Sequence, residues 1–281
     1  MTDASEYIHG SSPEEQRRLS LLNGILNDAC LRELNVFEGA RVLDVGSGLG
    51  QFSRLIARTV GPNGQVIGVE RDADQLHQAK RLAELAGEAD LVTFQAGDAL
   101  DLPLTLSDEN TFDVAHARFL LEHIPDPGRV IAQMIRAVRP GGRVFISDDD
   151  HDNFRPWPEP RGFEPLWDAY VQSYERLGND PYVGRKLVSL LRENGLVTIR
   201  NSCVFFGGCA GNERFEAVAD NLIGALEGAE ETILSEKLIS KEVFDTGIAG
   251  VYEWKAHPSA VLWYTVCCAE GTVPPRGGSP N

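Results

Sequence analysis

The segment Leu43–Gln51, LDVGSGLGQ, decides the fold of this 281-residue chain. It follows a short apolar segment, Arg41–Leu43, and leads directly into an amphipathic segment with helical spacing. A strand that turns on glycines into a helix exposes bare backbone, because glycine has no Cβ and adopts conformations closed to other residues. In open α/β sheets such a turn lies at the carboxyl end of a strand, where ligands bind. The segment therefore predicts a ligand site at its three glycines.

The spacing of these glycines tests whether the ligand is a dinucleotide. A dinucleotide-binding turn needs the pattern G-x-G-x-x-G. Counted from Gly46, the third glycine would be residue 51, which is Gln51, and counted from Gly48 it would be residue 53, which is Ser53. The pattern fails in both registers. This disfavours a nicotinamide- or flavin-dependent oxidoreductase.

The composition is that of an ordinary globular protein with an acidic surface. Hydrophobic residues make up 42% of the chain, and the formal net charge is −16. Binding to nucleic acid or to an anionic membrane requires surfaces rich in Lys and Arg, so neither is expected as a partner. The acidity itself is typical of a soluble protein. A homo-oligomer is compatible with the sequence.

The cysteines and the N-terminus indicate a protein of the cytoplasm. The chain has five cysteines, an odd number whose spacing fits neither a disulfide framework nor a zinc site. Buried thiols in a reducing compartment are the simplest explanation, and no metal is expected. The first residues, MTDASE, are polar and acidic, unlike a signal peptide.

Alternating strand and helix patterns follow the first 39 residues, which read as an N-terminal helical cap. Strand-like segments recur at residues 41–45, 65–70, 91–95, 112–116 and 143–147, with helical spacing between several of them. This alternation predicts a doubly wound parallel sheet over residues 40–150. Residues 151–258 read as mainly helical insertions with one strand near 196–206. A final strand is expected within 259–270, and the Pro- and Gly-rich residues 271–281 are expected to be disordered.

Four further signals follow the glycine turn in a fixed order. They are Glu70 at the end of the second strand, Gly97-Asp98-Ala99 after the third, the segment Phe112–His123 over the fourth, and Arg139–Gly142 before the fifth. Together with Asp44–Gly50 this set resembles the class I S-adenosylmethionine-dependent methyltransferases, of the bacterial small-molecule type that includes the ubiquinone and menaquinone enzymes. The resemblance implies an α/β, Rossmann-like sheet of seven strands with the last one antiparallel, an N-terminal helical lid and helical insertions.

The resemblance also implies where S-adenosylmethionine binds. Backbone at Gly46–Gly48 would approach its methionine part, and Glu70 would accept hydrogen bonds from the ribose diol. Asp98 would accept from the adenine amino group, and the backbone of Ala99 would serve the adenine ring. The rest of the predicted cofactor set is Asp44, Ser47, Gly50, Gln51, Arg71, Ala117 and Arg118, of which the last two border the sulfonium end.

A possible lid lies at the N-terminus. Tyr7-Ile8-His9-Gly10 and the following Glu15–Leu19 are similar to a segment in which a tyrosine covers the cofactor and an arginine binds its carboxylate. Arg18 is the predicted arginine and Arg17 the alternative, because a planar guanidinium matches a carboxylate with two hydrogen bonds. A solvated basic pair on a helix remains the other interpretation.

The acceptor is expected past the ends of the fourth and fifth strands. His151 is the candidate general base, because the ordinary pKa of histidine lies near working pH. The alternative is a solvated loop histidine beside three aspartates. Candidate acceptor-binding residues are Phe119, His123, Asp148, Trp157, Trp167 and Tyr170, although the aromatic ones are equally compatible with helix core.

Two functions remain after these observations. The segment Ala117–Leu120 stands where enzymes acting on DNA amines or protein glutamines carry an Asn-Pro-Pro-Tyr type of motif, so the acceptor is expected to be a small organic molecule. Its nucleophile would be oxygen, nitrogen or activated carbon, attacking the methyl group in line. The alternative is a catalytically idle module that binds S-adenosylmethionine and acts as a partner subunit.

Overall fold

The computed structural model describes residues 13–105 and 108–275, and a seven-stranded sheet forms the centre of this part of the chain. The strands, in chain order, are β1 (Arg41–Val45), β2 (Gln65–Glu70), β3 (Val92–Ala96), β4 (Phe112–Arg118), β5 (Val138–Asp148), β6 (Arg155–Trp157), β7 (Val197–Phe205), β8 (Gly208–Cys209), β9 (Val261–Trp263) and β10 (Thr265–Thr272). The central sheet has the order β3-β2-β1-β4-β5-β10-β7, and β6-β9-β8 form a small second sheet.

The strand directions confirm the predicted fold class. Strands β1 to β5 run parallel, whereas β10 is antiparallel to both β5 and β7. The chain order reverses between β1 and β4, which are neighbours in the sheet. In doubly wound sheets this reversal opens a crevice at the carboxyl ends of the strands, and ligands bind there.

Helices cover both faces of the sheet. They are α1 (Pro13–Leu34), α2 (Gln51–Val60), α3 (Ala73–Leu85), α4 (Pro127–Ala137), α5 (Phe163–Arg176), α6 (Leu187–Glu193), α7 (Glu213–Gly228), α8 (Glu230–Ser235) and α9 (Lys241–Lys255). Asp72 and Asp126 begin α3 and α4 by accepting hydrogen bonds from the backbone N–H groups of Gln75 and Arg129. None of the helices in the described ranges has the length and apolar character needed to cross a bilayer.

The alternation of side chains along β1 divides the core into two layers. Val42 packs into one apolar cluster, and Leu43 and Val45 pack into the other on the opposite face. Asp44 shares the face of Val42, so its carboxylate lies under α2 and only 4% of the residue is exposed. Because side chains alternate between the two faces of a strand, the acidic side chain of Asp44 lies in the interior beside the glycine turn.

The second half of the chain differs from the pattern that the sequence predicts. The region read as mainly helical, residues 151–258, contains two consecutive helices divided at Ala229, α7 and α8. Helix α9 also lies within this region. The apolar run at 259–267 is also not one strand: β9 joins the small sheet, and β10 continues in the central sheet to Thr272, inside the segment predicted to be disordered. Residues 276–281 lie outside the described part.

Candidate active site

A cleft of about 940 Å³ opens at the carboxyl ends of β1, β2, β3, β4 and β5. Residues that follow each of these strands line it, including the glycine turn and the turns at 70–73, 97–99 and 118–124. Its other wall comes from residues of α5 and α7 and from Tyr264. This volume lies within the range of about 300–1,000 Å³ that is usual for ligand sites.

The glycine turn has the backbone that the sequence predicts. Gly46, Gly48 and Gly50 have φ angles of +74°, +53° and +70°, in the left-handed region that favours glycine. Gly46 and Gly48 line the cleft together with Ser47. Gly50 instead begins α2, where an added Cβ would stand 2.3 Å from the ring of Phe94. This glycine is required by packing.

Glu70 fixes the shape of the turn. One carboxylate oxygen accepts the N–H of Gly48 at 2.8 Å, and the other accepts the N–H of Asp72 at 2.8 Å. The acid therefore joins the end of β2 to the turn after β1, so the bare backbone is held in place without a ligand. A carboxylate has about four acceptor positions, which leaves Glu70 able to accept further bonds from within the cleft that it lines.

The turn after β3 lines the same cleft as the glycine turn and Glu70. Asp98, Ala99 and Gly97 line the cleft, as does the exposed Arg71 after β2. Asp98 accepts the N–H of Leu100 at 2.9 Å through one oxygen, which orients the carboxylate. These positions are the ones that the sequence predicts for the adenosine part of a cofactor, and they lie together.

A buried imidazole stands beside Asp44. His116 is 1% exposed, and its Nδ1 lies 2.9 Å from one oxygen of Asp44, while the Ser53 hydroxyl donates to the other oxygen at 2.6 Å. The ring is flanked by Phe52 and Phe145, with ring centroids at 5.0 and 5.9 Å. Sequence reasoning gave His116 no role. A polar residue within the apolar strand β4, paired in register with Asp44, is the signal that points to it.

Arg118 is the last residue of β4 and lies on the same face of the sheet as His116. Its Nη2 donates to Asn23 and, at 3.0 Å, to Asn27, both on α1, and its guanidinium lies 4.3 Å from the ring centre of Phe52. Arg118 and Asn23 line the cleft. Ala117 is fully buried in the sheet, and neither Ala117 nor Gln51 is among the cleft-lining residues of the described ranges.

Aromatic side chains form the wall opposite the glycine turn. Trp167 stacks on Phe154 with ring centroids 4.3 Å apart, and the hydroxyls of Tyr170 and Tyr174 lie 3.0 Å apart. These four residues line the cleft with Tyr264, Phe119 and His123. Trp157 does not belong to this wall, contrary to the prediction: it lies in β6 with 67% of its surface exposed.

His151 is buried in this wall. It is 4% exposed, lines the cleft, and has Tyr174 and Trp167 at ring-centroid distances of 5.0 and 5.6 Å. The alternative of a solvated loop histidine is therefore wrong. Its Nδ1 lies 2.9 Å from the carbonyl oxygen of Pro181. Because a carbonyl only accepts, Nδ1 carries the proton, and the neutral ring has its lone pair on Nε2.

Two acids stand near this histidine. One atom each of Glu122, Asp149 and His151 lie within 4.8 Å of one another, so this group could hold a metal ion. The hydroxyl of Tyr264 donates to Asp149, and burial together with the charge of Asp149 raises the pKa of Tyr264 well above its usual value. His123 Nε2 lies 3.4 Å from Glu122. The absence of a metal stays a prediction.

Asp148 has a different place from the one that the sequence predicts. It is fully buried and is not among the described residues that line the cleft. Its carboxylate accepts the N–H groups of Leu120, Leu121 and Asp149 at 3.2, 2.8 and 3.0 Å. Burial and the nearby charge of Asp149 raise the pKa of Asp148 to about 7. Asp148 therefore fixes the loop after β4 and does not contact an acceptor.

Only part of the predicted lid falls within the residues that the structure describes. Tyr7 lies outside the described residues. Arg18 falls within α1, but its side chain is outside the description. Both assignments stay predictions.

Comparison with known proteins agrees with this fold. Residues 37–159 match a family model described as a methyltransferase domain. A 2-phytyl-1,4-naphthoquinone methyltransferase of Synechococcus elongatus is 39% identical over 110 residues, which cover 39% of this chain and 46% of the relative. A demethylmenaquinone methyltransferase of Bacillus subtilis is 27% identical over 181 residues, covering 61% of this chain and 73% of the relative. The chain thus spans about half the length of the first of these relatives.

A solved structure shows the same fold over most of the chain. It is phosphoethanolamine N-methyltransferase 2 of Haemonchus contortus in complex with phosphomonomethylethanolamine and S-adenosylhomocysteine. The TM-score is 0.57 at 19% identity, covering 92% of this chain and 57% of the other. The family match over residues 37–159 therefore describes a methyltransferase domain, and the sheet order agrees with the fold of this solved structure.

Proposed function

We propose that this protein transfers a methyl group from S-adenosylmethionine to a small organic acceptor bound against the aromatic wall. The observation that supports it best is that one cleft joins the glycine turn to His151 and the aromatic side chains. Donor and acceptor can therefore meet without crossing solvent. A fold alone does not define an activity, so the proposal depends on this arrangement of side chains.

The residues present fit the donor. The turn at Gly46–Gly48 exposes backbone, Glu70 and Asp98 are oriented acceptors at the adenosine end, and Arg118 lies on the wall from β4. When bound, S-adenosylmethionine supplies an electrophilic methyl group on a positively charged sulfur. The protein has to hold the nucleophile in line with this methyl group and exclude water.

The aromatic wall both aligns the acceptor and excludes water. Phe154, Tyr170, Tyr174 and Tyr264 are each 4–6% exposed, so they present flat, mostly desolvated surfaces. A planar or apolar acceptor would be held by these faces, since aromatic pairs contribute about 0.5–1.5 kcal/mol beyond their area burial. This wall comes mainly from residues beyond the family match, so the acceptors of the quinone methyltransferases are not transferred to this chain.

His151 is the proposed general base. Its proton lies on Nδ1 toward Pro181, so the other nitrogen can take a proton from an acceptor hydroxyl or amine. The Pro181 carbonyl also accepts the backbone N–H of His151 at 3.0 Å, which fixes the ring relative to its own backbone. A base of this kind contributes about 10²–10⁴-fold to rate.

Methyl transfer from labelled S-adenosylmethionine to a library of small acceptors tests the function, with calorimetry of S-adenosylhomocysteine and of a nicotinamide dinucleotide alongside. Binding of the dinucleotide alone would refute it. Once an acceptor is found, His151→Gln is expected to lower kcat by about 10²-fold or more while leaving the affinity for S-adenosylhomocysteine unchanged. His77→Gln, an exposed substitution on α3, is the matched control.

A further inference from the structure

We infer that the acceptor is a primary or secondary amine that enters the cleft as its ammonium ion. In this assignment, which rests on the proposed function, Glu122 and Asp149 accept hydrogen bonds from the ammonium N–H groups. The aromatic wall packs against the positive charge and against the rest of the acceptor, which would be apolar or aromatic. An alcohol or a carboxylic acid of the same shape would bind more weakly.

Carboxylates and aromatic rings meet around one imidazole in the half of the cleft that the aromatic wall forms. One atom each of Glu122, Asp149 and His151 lie within 4.8 Å of one another. Ring-centroid distances from the imidazole are 5.0 Å to Tyr174, 5.6 Å to Trp167 and 5.7 Å to Tyr170. All six residues line the cleft. A positively charged nitrogen here would contact carboxylate oxygens and also lie near aromatic rings, which attract cations within about 6 Å of the ring centre.

The charge of this half of the cleft favours a cation. Glu122 is 3% exposed, and its Oε1 lies 3.4 Å from His123 Nε2. Asp149 accepts a hydrogen bond from the Tyr264 hydroxyl. These contacts orient both carboxylates, and each carboxylate has about four acceptor positions, so further N–H groups can be accepted. An anionic acceptor would instead be repelled, because like charges interact strongly where water is excluded.

The number of acceptor atoms distinguishes an amine from an alcohol. His151 is 4% exposed, and within the described ranges its imidazole makes one hydrogen bond, from Nδ1 to the Pro181 carbonyl. Its Nε2 therefore joins the two carboxylates as a third acceptor, and buried acceptors are normally satisfied. A primary ammonium group carries three N–H donors, whereas a hydroxyl group carries one. A single ammonium nitrogen can therefore supply all three acceptors.

Methyl transfer from this arrangement requires the ammonium ion to lose one proton. His151 Nε2 takes that proton, and the nitrogen regains a lone pair while its remaining N–H groups stay with the carboxylates. The nitrogen then forms a bond to the methyl carbon as the carbon–sulfur bond breaks, and the electron pair of that bond stays on sulfur. The nitrogen becomes positively charged again, so Glu122 and Asp149 stabilise charge that develops during transfer. The imidazolium afterwards releases its proton to solvent.

Calorimetry on the full-length protein saturated with S-adenosylhomocysteine tests the assignment. The probes are phenethylamine and tryptamine, each compared with the alcohol and the carboxylic acid that carry the same aromatic body. Glu122→Gln and Asp149→Asn each remove one negative charge with little change of shape. Glu164→Gln makes the same change on the exposed first turn of α5, outside the described cleft lining, and is the control. Affinity for S-adenosylhomocysteine, measured first, shows that each variant is folded.

The amines are expected to bind at least about 10-fold more tightly than their alcohols and acids, because charge-assisted hydrogen bonds distinguish them. Each of the two cleft variants is expected to weaken the amines by about 10-fold or more and to leave the alcohols within about twofold. Glu164→Gln should change neither. Methyl transfer from labelled S-adenosylmethionine should favour the same probes. Amines that bind no better than alcohols, or equal weakening of both classes by the variants, would overturn the inference.

Further outcomes separate the inference from the proposed function. Transfer to a hydroxyl or carbon acceptor alone would overturn the amine assignment and leave the methyltransferase function standing. Saturable binding of Mg²⁺ or Mn²⁺ that Glu122→Gln abolishes, with no binding of amines, would show that the acids hold a metal ion and would also overturn the inference. Failure of the wild-type protein to bind S-adenosylhomocysteine would instead refute the proposed function.

Discussion

Replacement of Glu70 by glutamine is the perturbation that tests the donor site most directly. The carboxylate accepts two backbone N–H groups at 2.8 Å each, one from the glycine turn and one from the start of α3. Glutamine keeps one oxygen, but its NH₂ group would face the other N–H. One charge-assisted bond is lost outright and the second becomes a neutral one. Hydrogen bonds to charged groups contribute about 1.5–3 kcal/mol each, and the lower end applies to this half-buried side chain.

The same substitution removes the charge that the ribose diol would meet. We expect the affinity for S-adenosylhomocysteine to fall by about 1–3 kcal/mol, or about 5–150-fold, and the free energy of unfolding without ligand to fall by about 1.5 kcal/mol. Calorimetry and urea denaturation measure the two effects separately. Asp74→Asn makes the same charge change on the exposed first turn of α3 and is the control. An affinity within twofold of wild type, with the expected loss of stability, would show that Glu70 only supports the turn.

Three further predictions concern the metal, the thiols and pH. Treatment with a chelator is expected to leave methyl transfer unchanged; a rate restored only by added Mn²⁺ or Mg²⁺ would show that Glu122 and its neighbours hold an ion. Alkylation at pH 8, mapped by mass spectrometry, is expected at the exposed Cys203 before Cys267, because burial raises the pKa of Cys267 to about 11, and equal rates would contradict this. The raised pKa of Asp148, about 7, means that the folded state holds a proton that the unfolded state has lost, so this group's stabilisation decreases as pH rises from about 4 to 7. The stability of wild type minus that of Asp148→Asn should therefore be larger at pH 5 than at pH 8, and a constant difference in urea titrations would refute it.

The donor half of the cleft could be predicted because its signals are local. A strand, a glycine turn and a helix start within one short segment determine where Gly46 and Gly48 lie, and an acid at the end of the next strand follows from the parallel order of β1 and β2. Each of these residues stands at a strand end, so the sheet brings them together whatever the rest of the chain does.

The acceptor half could not be predicted in the same way. Its wall joins His151 after β5, Trp167 and Tyr170 of α5, and Tyr264 between β9 and β10, which are separated by up to 113 residues of sequence. Aromatic residues at helical spacing are compatible both with core and with a binding surface, and only the fold decides between them. Trp157 shows the limit of this reasoning. It is a tryptophan like Trp167 and lies close to His151 in sequence, yet its side chain in β6 is exposed to solvent.

His116 shows a second limit of sequence reasoning. A histidine in an apolar strand is usually a satisfied core residue, and one of its nitrogens is indeed satisfied, by Asp44. The register of β1 and β4 places Asp44 directly opposite His116, whereas Nε2 is buried without a hydrogen-bond partner among the described residues. Asp44 orients the imidazole through this contact, a role that depends on the pairing of two strands whose residues are 72 positions apart in sequence.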